Sequence, residues 1–355
     1  MAFHLGCLRA LNELSLLDKI DAISTISGGS VIGAYYAYTP EKTFEEFDDD
    51  IRRFLRIGFE RAIVARLANP KNFTRCLANV VRANADAASE RVLKREPTFR
   101  DQLTRTDLFR DVLHDRVFPN LRMSSPRREV EVVIGACEMR TGSAFRFGNG
   151  RSGSWRFGDM IDWDVDVAFA VAASAAYPLF LPAVDRKWNF FKDGVEREHR
   201  VLLTDGGVFD NLGVQVLEPG RDPKISVHTF PCDYLIVCNA GHGQASGISV
   251  PSRFLSRVSR SFDIIHRRVQ DGAMHRLHEL KRSRQISGFV LPYLGQQDDR
   301  LPWKPAPLVE RAAVMEYPTN FSAMSKDWIE KLSARGEQLT RALTPYYLPQ
   351  LFANA

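Results

Sequence analysis

Ser27 stands at the point where one short apolar segment ends and a second one, which begins with small residues, follows. Residues 21–34 read Asp-Ala-Ile-Ser-Thr-Ile-Ser-Gly-Gly-Ser-Val-Ile-Gly-Ala, which predicts a strand, a sharp turn at the serine and then a helix. A serine on such a nucleophile elbow can attack an ester while the next backbone N–H groups, here from Gly28 and Gly29, stabilise the oxyanion. Thr25 replaces one glycine of the usual pattern, so the run alone fits a nucleophile and a Gly-rich turn equally well.

An Asp-Gly-Gly motif lies far downstream, at the end of another apolar segment. Residues 200–204 predict a buried strand that leads directly into Asp205, Gly206 and Gly207. Glycines after the aspartate permit a close backbone approach at the strand end, which is where α/β sheets carry their chemistry. Asp205 alone fits a turn former or a helix cap. In combination with Ser27 it becomes a candidate catalytic carboxylate.

The two motifs together resemble those of the patatin-like phospholipase family of bacterial type. The resemblance extends to a predicted helix over residues 3–12, to residues 170–178 between the motifs, and to residues 317–321 and 332–336. It therefore covers most of the chain. It implies an α/β fold in a single domain over residues 1–355, with a mostly parallel central sheet flanked by helices.

The resemblance also implies a catalytic dyad that contains no histidine. In such a dyad Ser27 Oγ attacks the ester carbonyl, Asp205 takes the proton, and water then hydrolyses the acyl-serine. An aspartate has an ordinary pKa of about 3.9, so a useful base requires an apolar setting that raises the pKa. The expected activity is that of a lipid acyl hydrolase, a phospholipase A or esterase, without a cofactor or metal.

A Ser-His-Asp esterase is the first alternative interpretation. It requires a histidine after Asp205, and the candidates are His228, His242 and His266. His242 is the best placed of the three, because it follows a buried strand predicted over residues 233–239. A loop histidine without a catalytic role fits the same position.

The start of the sequence suggests a second alternative. In the family that the chain resembles, a strand and a Gly-rich loop precede the first helix and supply most of the oxyanion hole, whereas this sequence begins at Met1 inside the expected helix. The loss of one oxyanion donor costs about 10²–10³ in rate. A catalytically weak or inactive lipid-binding relative is therefore also a possible interpretation, and slow turnover is expected.

The composition is that of a protein with a large core and a mildly basic surface. The chain has 355 residues, of which 45% are hydrophobic, and a net charge of +5. This charge is too small for a dedicated nucleic-acid binder but suits an anionic lipid surface. The five cysteines lack Cys-x-x-Cys spacing, which predicts free thiols. With no apolar run of about 18 residues and no signal-peptide pattern, we expect a cytoplasmic or peripheral membrane protein.

Four regions stand apart from the alternating pattern of strands and helices that is typical of α/β proteins. Residues 41–125 predict a helical insertion, either a lid over the site or a solvated layer, and residues 319–355 predict a C-terminal helical extension. Residues 251–284 predict a basic helix, which fits a solvated face or a surface that contacts lipid phosphates. Residues 188–195 predict a β-hairpin before the Asp205 strand.

Overall fold

The computed structural model describes most of the chain. The described residues are 1–39, 43–93, 103–178, 180–224, 226–241, 243, 252–303, 308–318 and 320–352. Within them, the α-helices are α1 (Ala2–Glu13), α2 (Gly28–Tyr38), α3 (Phe44–Ile57), α4 (Glu60–Leu67), α5 (Pro70–Leu93), α6 (Arg105–Arg116), α7 (Val167–Ser174), α8 (Phe254–Arg282) and α9 (Lys326–Tyr347). The strands are β1 (Ala22–Ile26), β2 (Glu131–Glu138), β3 (Ser143–Gly148), β4 (Ser152–Ser154), β5 (Gly158–Met160), β6 (Val184–Lys192), β7 (Val195–Asp205), β8 (Tyr234–Ile236) and β9 (Gly288–Val290).

The main sheet is a closed antiparallel ring of six strands. Strands β2 to β7 pair in chain order, each antiparallel to the next, and β7 returns to pair with β2. Among the described strands, parallel pairing is confined to β1 beside β2 and to the separate β8–β9 pair. The prediction of a mostly parallel central sheet is therefore wrong.

Short turns explain most of the antiparallel pairing, whereas β5 and β6 are joined by a longer segment that contains α7. A parallel pair needs a crossover of a dozen or more residues, whereas a turn of a few residues joins antiparallel neighbours. The β6–β7 hairpin shows the local cause, since Asp193 and Gly194 both have positive φ, 50° and 78°. Two such residues form the tight turn that matches the twist of a hairpin. The hairpin expected over residues 188–195 is thus present within a longer one.

The helix α7 packs against the closed sheet and carries the chain toward the site. Each of its residues is buried, as its composition of Val, Ala and Phe predicts. Buried aromatic side chains of β3 and β6 pack together, and Phe145 contacts Phe147 and Phe190 at ring-centroid distances of 5.0 and 6.2 Å. The closed sheet and α7 therefore form a rigid support for the residues at the end of β7.

Helices α3 to α6 lie within the predicted insertion, and α3 packs on α2. Tyr35 of α2 donates a hydrogen bond to Asp50 Oδ2 at 2.6 Å, and its ring contacts Phe47 and Phe54. Near the other end of the chain, α9 packs closely on α1. The two helices are so close that a Cβ on Gly336 would lie only 2.1 Å from the Phe3 carbonyl oxygen. The division into a core, an insertion and an extension stays a prediction.

Helix α8 spans 29 residues within the predicted basic region. Its many charged side chains keep its hydropathy low. Across the described part of the chain, no helix combines the length and the apolar character that a bilayer crossing requires.

Candidate active site

The predicted elbow is present at Ser27, between the end of β1 and the start of α2. Ser27 has φ 52° and ψ −128°, an uncommon conformation for a residue other than glycine. Such a backbone costs on the order of 1–3 kcal/mol and persists where its surroundings hold it in place. Although Ser27 is the N-cap residue of α2, its side chain accepts no capping hydrogen bond. Its hydroxyl is therefore available for another partner.

Strand β2 brings Asp205 beside this elbow. Strands β1 and β7 lie end to end along one edge of β2, with Ile26 opposite Gly135 and Asp205 opposite Ala136, while β3 pairs along the other edge. Because Gly135 and Ala136 are consecutive, the residue after Ile26 and the last residue of β7 meet at the same level of the sheet. Two motifs 178 residues apart in sequence thus lie next to each other.

The contact between the two side chains is direct. Ser27 Oγ donates a hydrogen bond to Asp205 Oδ2 at 2.6 Å, and the Gly207 N–H donates to Asp205 Oδ1 at 2.8 Å. Only 1% of Asp205 is exposed. Burial raises the pKa of the Asp205 carboxyl from 3.8 to about 6, and the hydrogen bonds from Ser27 and Gly207 limit the increase. A carboxylate with this pKa is ionised at neutral pH and is a stronger base than an ordinary aspartate.

The motif glycines permit the close approach that this contact needs. A Cβ on Gly206 would lie 2.2 Å from the Gly135 carbonyl oxygen, so a side chain there would push the Asp205 loop away from β2. A Cβ on Gly207 would lie 2.5 Å from Nε2 of His266. By contrast, a Cβ on Gly28 would meet no described atom within 4 Å outside its chain neighbours, so space is open above the elbow.

Ser174, which sequence reasoning did not identify as a site residue, holds the elbow in place. Its Oγ accepts a hydrogen bond from the Ser27 N–H at 3.0 Å and shares another with Ser30 Oγ at 2.9 Å. Ser174 is the last residue of α7 and is fully buried. The only signal in the sequence was its position in the segment 170–178 that resembles the patatin-like family.

The three histidines differ in their relation to the dyad. His266 of α8 lines the cleft and packs on Gly207, and burial lowers its pKa. His228 is buried beside Gly148, away from the cleft, and burial and nearby arginines lower its pKa to about 3. His242 lies outside the described residues. The hydroxyl of Ser27 reaches Asp205 with no imidazole between them.

A cleft of about 2180 Å³ opens beside the dyad. Ser27, Gly28, Gly29 and Asp205 line it, and apolar side chains of β1 and β8 form much of its wall. The first N–H groups of α2 belong to Gly28 and Gly29, and the first N–H groups of a helix lack intrahelical acceptors and carry a partial positive charge. The cleft thus brings together a hydroxyl, a buried carboxylate and N–H donors.

Within the described ranges, no three His, Cys, Asp or Glu side chains are grouped so that they could hold a metal ion. All five cysteines are free thiols.

The sequence of the chain is similar to that of a known protein family. The family model described as patatin-like phospholipase matches residues 1–217, a range that includes Ser27 and Asp205. Among solved structures, VipD from Legionella pneumophila aligns with a TM-score of 0.37 and 11% identity over 98% of this chain. The chain spans 65% of the length of VipD. No curated protein matches the chain.

Proposed function

Because the chain belongs to the patatin-like phospholipase family, a family of lipid hydrolases, we propose that it cleaves carboxylic esters of lipids with Ser27 as the nucleophile and Asp205 as the base. The observation that carries this proposal is the hydrogen bond of 2.6 Å from Ser27 Oγ to the buried carboxylate of Asp205. A nucleophile and a base in direct contact can transfer a proton without an intermediate residue.

The first half of the reaction forms an acyl-serine. Ser27 Oγ attacks the carbonyl carbon of the ester, and its proton passes to Asp205 Oδ2. The tetrahedral intermediate then collapses, the bond to the alcohol oxygen breaks, and Asp205 returns the proton to the departing alcohol. The raised pKa of Asp205, about 6, supports both proton transfers because the carboxylate is basic enough to accept a proton and acidic enough to release it.

The second half of the reaction releases the fatty acid. Water attacks the acyl carbon while Asp205 takes one of its protons, and the second intermediate collapses with return of that proton to Ser27 Oγ. The N–H groups of Gly28 and Gly29 at the start of α2 are suited to stabilise the oxyanion in both halves. The open space above Gly28 supports this role, since a bound acyl group needs room there.

Three single substitutions test the proposal. Hydrolysis of a phospholipid and of a p-nitrophenyl ester is measured for Ser27→Ala, for Asp205→Asn and for the control Ser24→Ala, whose serine lies on β1 and lines the same cleft. We expect the first two to lose at least 10³-fold in kcat/KM and the control to keep most of the activity. Parent-like activity of Ser27→Ala would exclude the assigned nucleophile.

The triad alternative is tested by His266→Ala, since His266 lines the cleft and packs beside the Asp205 loop. The dyad predicts that most activity remains in this variant. A loss as large as that of Asp205→Asn, with unchanged circular dichroism, would favour a histidine as the base.

A further inference from the structure

Exposed apolar side chains surround the mouth of the cleft. Val64 of α4, Phe180 and Ile264 of α8 line the same cleft as Ser27, and yet they are 57, 54 and 54% exposed. Large apolar residues exposed singly are common, but a group that frames one opening is a mark of an interaction surface. The next residue of α8, Ile265, is 60% exposed as well.

The elements that carry these residues are in contact with one another. The hydroxyl of Thr106, in the first turn of α6, donates to the carbonyl of Pro182 in the loop that carries Phe180. Phe180 stacks on Tyr177 at 5.6 Å, and Tyr177 contacts Phe262 of α8 edge to face at 5.3 Å. Salt bridges join α4 to α6. These contacts join α4, α6, this loop and α8, and each of these elements contributes residues to the cleft lining.

The charge of this border is positive along α8. Residues 253–268 contain five arginines and one acidic residue, Asp263. Arg257 is exposed and Arg260 is half-buried at the mouth, and neither has an ion-pair partner among the described residues. Arg105, the first residue of α6, adds a further exposed cation there. Of the acidic residues that line the cleft, Glu60 lies on α4, where the Ser322 hydroxyl donates a hydrogen bond to it, and Glu316 lies outside α8.

We propose that this border, formed by Val64 and Phe180 together with Arg257, Arg260, Ile264 and Ile265 of α8, is a docking surface for a bilayer that contains anionic phospholipid. Apolar side chains beside arginines match the interface between headgroups and acyl chains, where each basic residue near an anionic surface adds affinity. The surface is continuous with a cleft that contains an apolar wall, so docking would place the cleft opening against the lipid. The proposal goes beyond ester hydrolysis, because binding to the bilayer requires neither Ser27 nor Asp205.

Vesicle flotation tests the surface independently of catalysis. The full chain carrying Ser27→Ala is mixed with vesicles of phosphatidylcholine alone or with 30% phosphatidylglycerol, and the bound fraction is measured at low and at high salt. We expect binding to the anionic vesicles, little binding to the neutral ones, and weaker binding at high salt. Since hydrolysis is not measured, a failure of this test leaves the dyad untouched.

Matched variants locate the surface on the molecule. In the Ser27→Ala background, Arg257→Glu with Arg260→Glu removes the positive charge, and Ile264→Ser with Ile265→Ser removes the apolar part. Each pair is expected to weaken binding by about tenfold or more. The controls are Arg116→Glu, at the opposite end of α6, and Ile161→Ser, an exposed isoleucine after β5.

Retention of binding by both controls, with loss in both α8 variants, would support the proposal. The proposal is overturned if the chain does not bind anionic vesicles, if neutral vesicles bind equally well, or if the α8 variants bind like the controls. Circular dichroism of each variant shows that a loss of binding does not come from unfolding.

Discussion

At the scale of single residues, the burial of Asp205 has two effects that oppose each other. It raises the pKa of the carboxyl to about 6, which makes the carboxylate a better base for Ser27. It also places a negative charge in an apolar environment, which destabilises the folded chain. The two consequences can be measured separately.

The first consequence is a dependence of the rate on pH. Asp205 acts as a base only when ionised, so kcat/KM for a lipid ester should fall by about tenfold for each pH unit below 6 and reach a plateau above pH 7. Initial rates between pH 4.5 and 8.5 check this expectation. A rate that stays constant down to pH 4.5 would contradict it, as would a transition that disappears in His266→Ala.

The second consequence is a gain of stability in Asp205→Asn. A carboxyl whose pKa is raised from 3.8 to about 6 binds its proton more tightly in the folded state, so folding stability decreases as the pH rises through this range. Asparagine carries no charge, and we expect it to increase the free energy of unfolding at pH 8 by on the order of 1–3 kcal/mol. The gain should vanish near pH 4. Urea unfolding of both proteins at the two pH values measures it, and equal stability at pH 8 would argue against a buried charge.

At the scale of secondary structure elements, the site depends on how β2 and α7 hold the ends of β1 and β7. Strand β2 sets the level at which Ser27 and Asp205 meet, through the pairs Ile26 with Gly135 and Ala136 with Asp205. The end of α7 holds the elbow, because Ser174 Oγ accepts a hydrogen bond from the Ser27 N–H. Two residues later, the Ala176 carbonyl accepts a hydrogen bond from the Asp205 N–H at 3.0 Å. The geometry of the proposed dyad therefore depends on buried residues outside the dyad.

Ser174→Ala tests this positioning role. The substitution removes the acceptor for the Ser27 N–H and the partner of Ser30 Oγ, so the elbow loses two of its hydrogen bonds. We expect kcat to fall about 10- to 100-fold with little change in KM, because the misplaced nucleophile affects the chemical step rather than binding.

The matched control for this substitution is Ser152→Ala. Ser152 is equally buried and donates to the Trp163 carbonyl at 3.0 Å, on strand β4 away from the cleft. Both variants should lose about 1 kcal/mol of stability from a broken hydrogen bond, but only Ser174→Ala should lose activity. Equal activity in the two variants would show that α7 does not position the nucleophile.

The whole molecule shows which of these features the sequence could predict. The motifs around Ser27 and Asp205 were recognisable because an elbow and an Asp-Gly-Gly turn depend on neighbouring residues, and the family assignment is confirmed. The closed antiparallel sheet was not predicted, because strand partners are chosen by long-range packing, and alternating helix and strand patterns do not specify strand direction. Ser174 escaped notice for the same reason, since its contact with Ser27 spans 147 residues.

The division of the chain into a core, an insertion over 41–125 and an extension over 319–355 stays a prediction. Helices occupy described parts of both regions, and α9 packs directly on α1. Amphipathic patterns show that a helix buries one face and do not show what that face contacts.

The central claim is that Ser27 is activated by Asp205 alone, and covalent labelling of the intact chain tests it most directly. A fluorophosphonate reacts with an activated serine, and its rate of attachment is followed by intact mass, with the modified residue identified by peptide mapping. The account predicts one label, on Ser27, that forms at least 10²-fold more slowly in Asp205→Asn and at the parent rate in His266→Ala. A label on another serine, or a rate in Asp205→Asn equal to that of the parent, would contradict it.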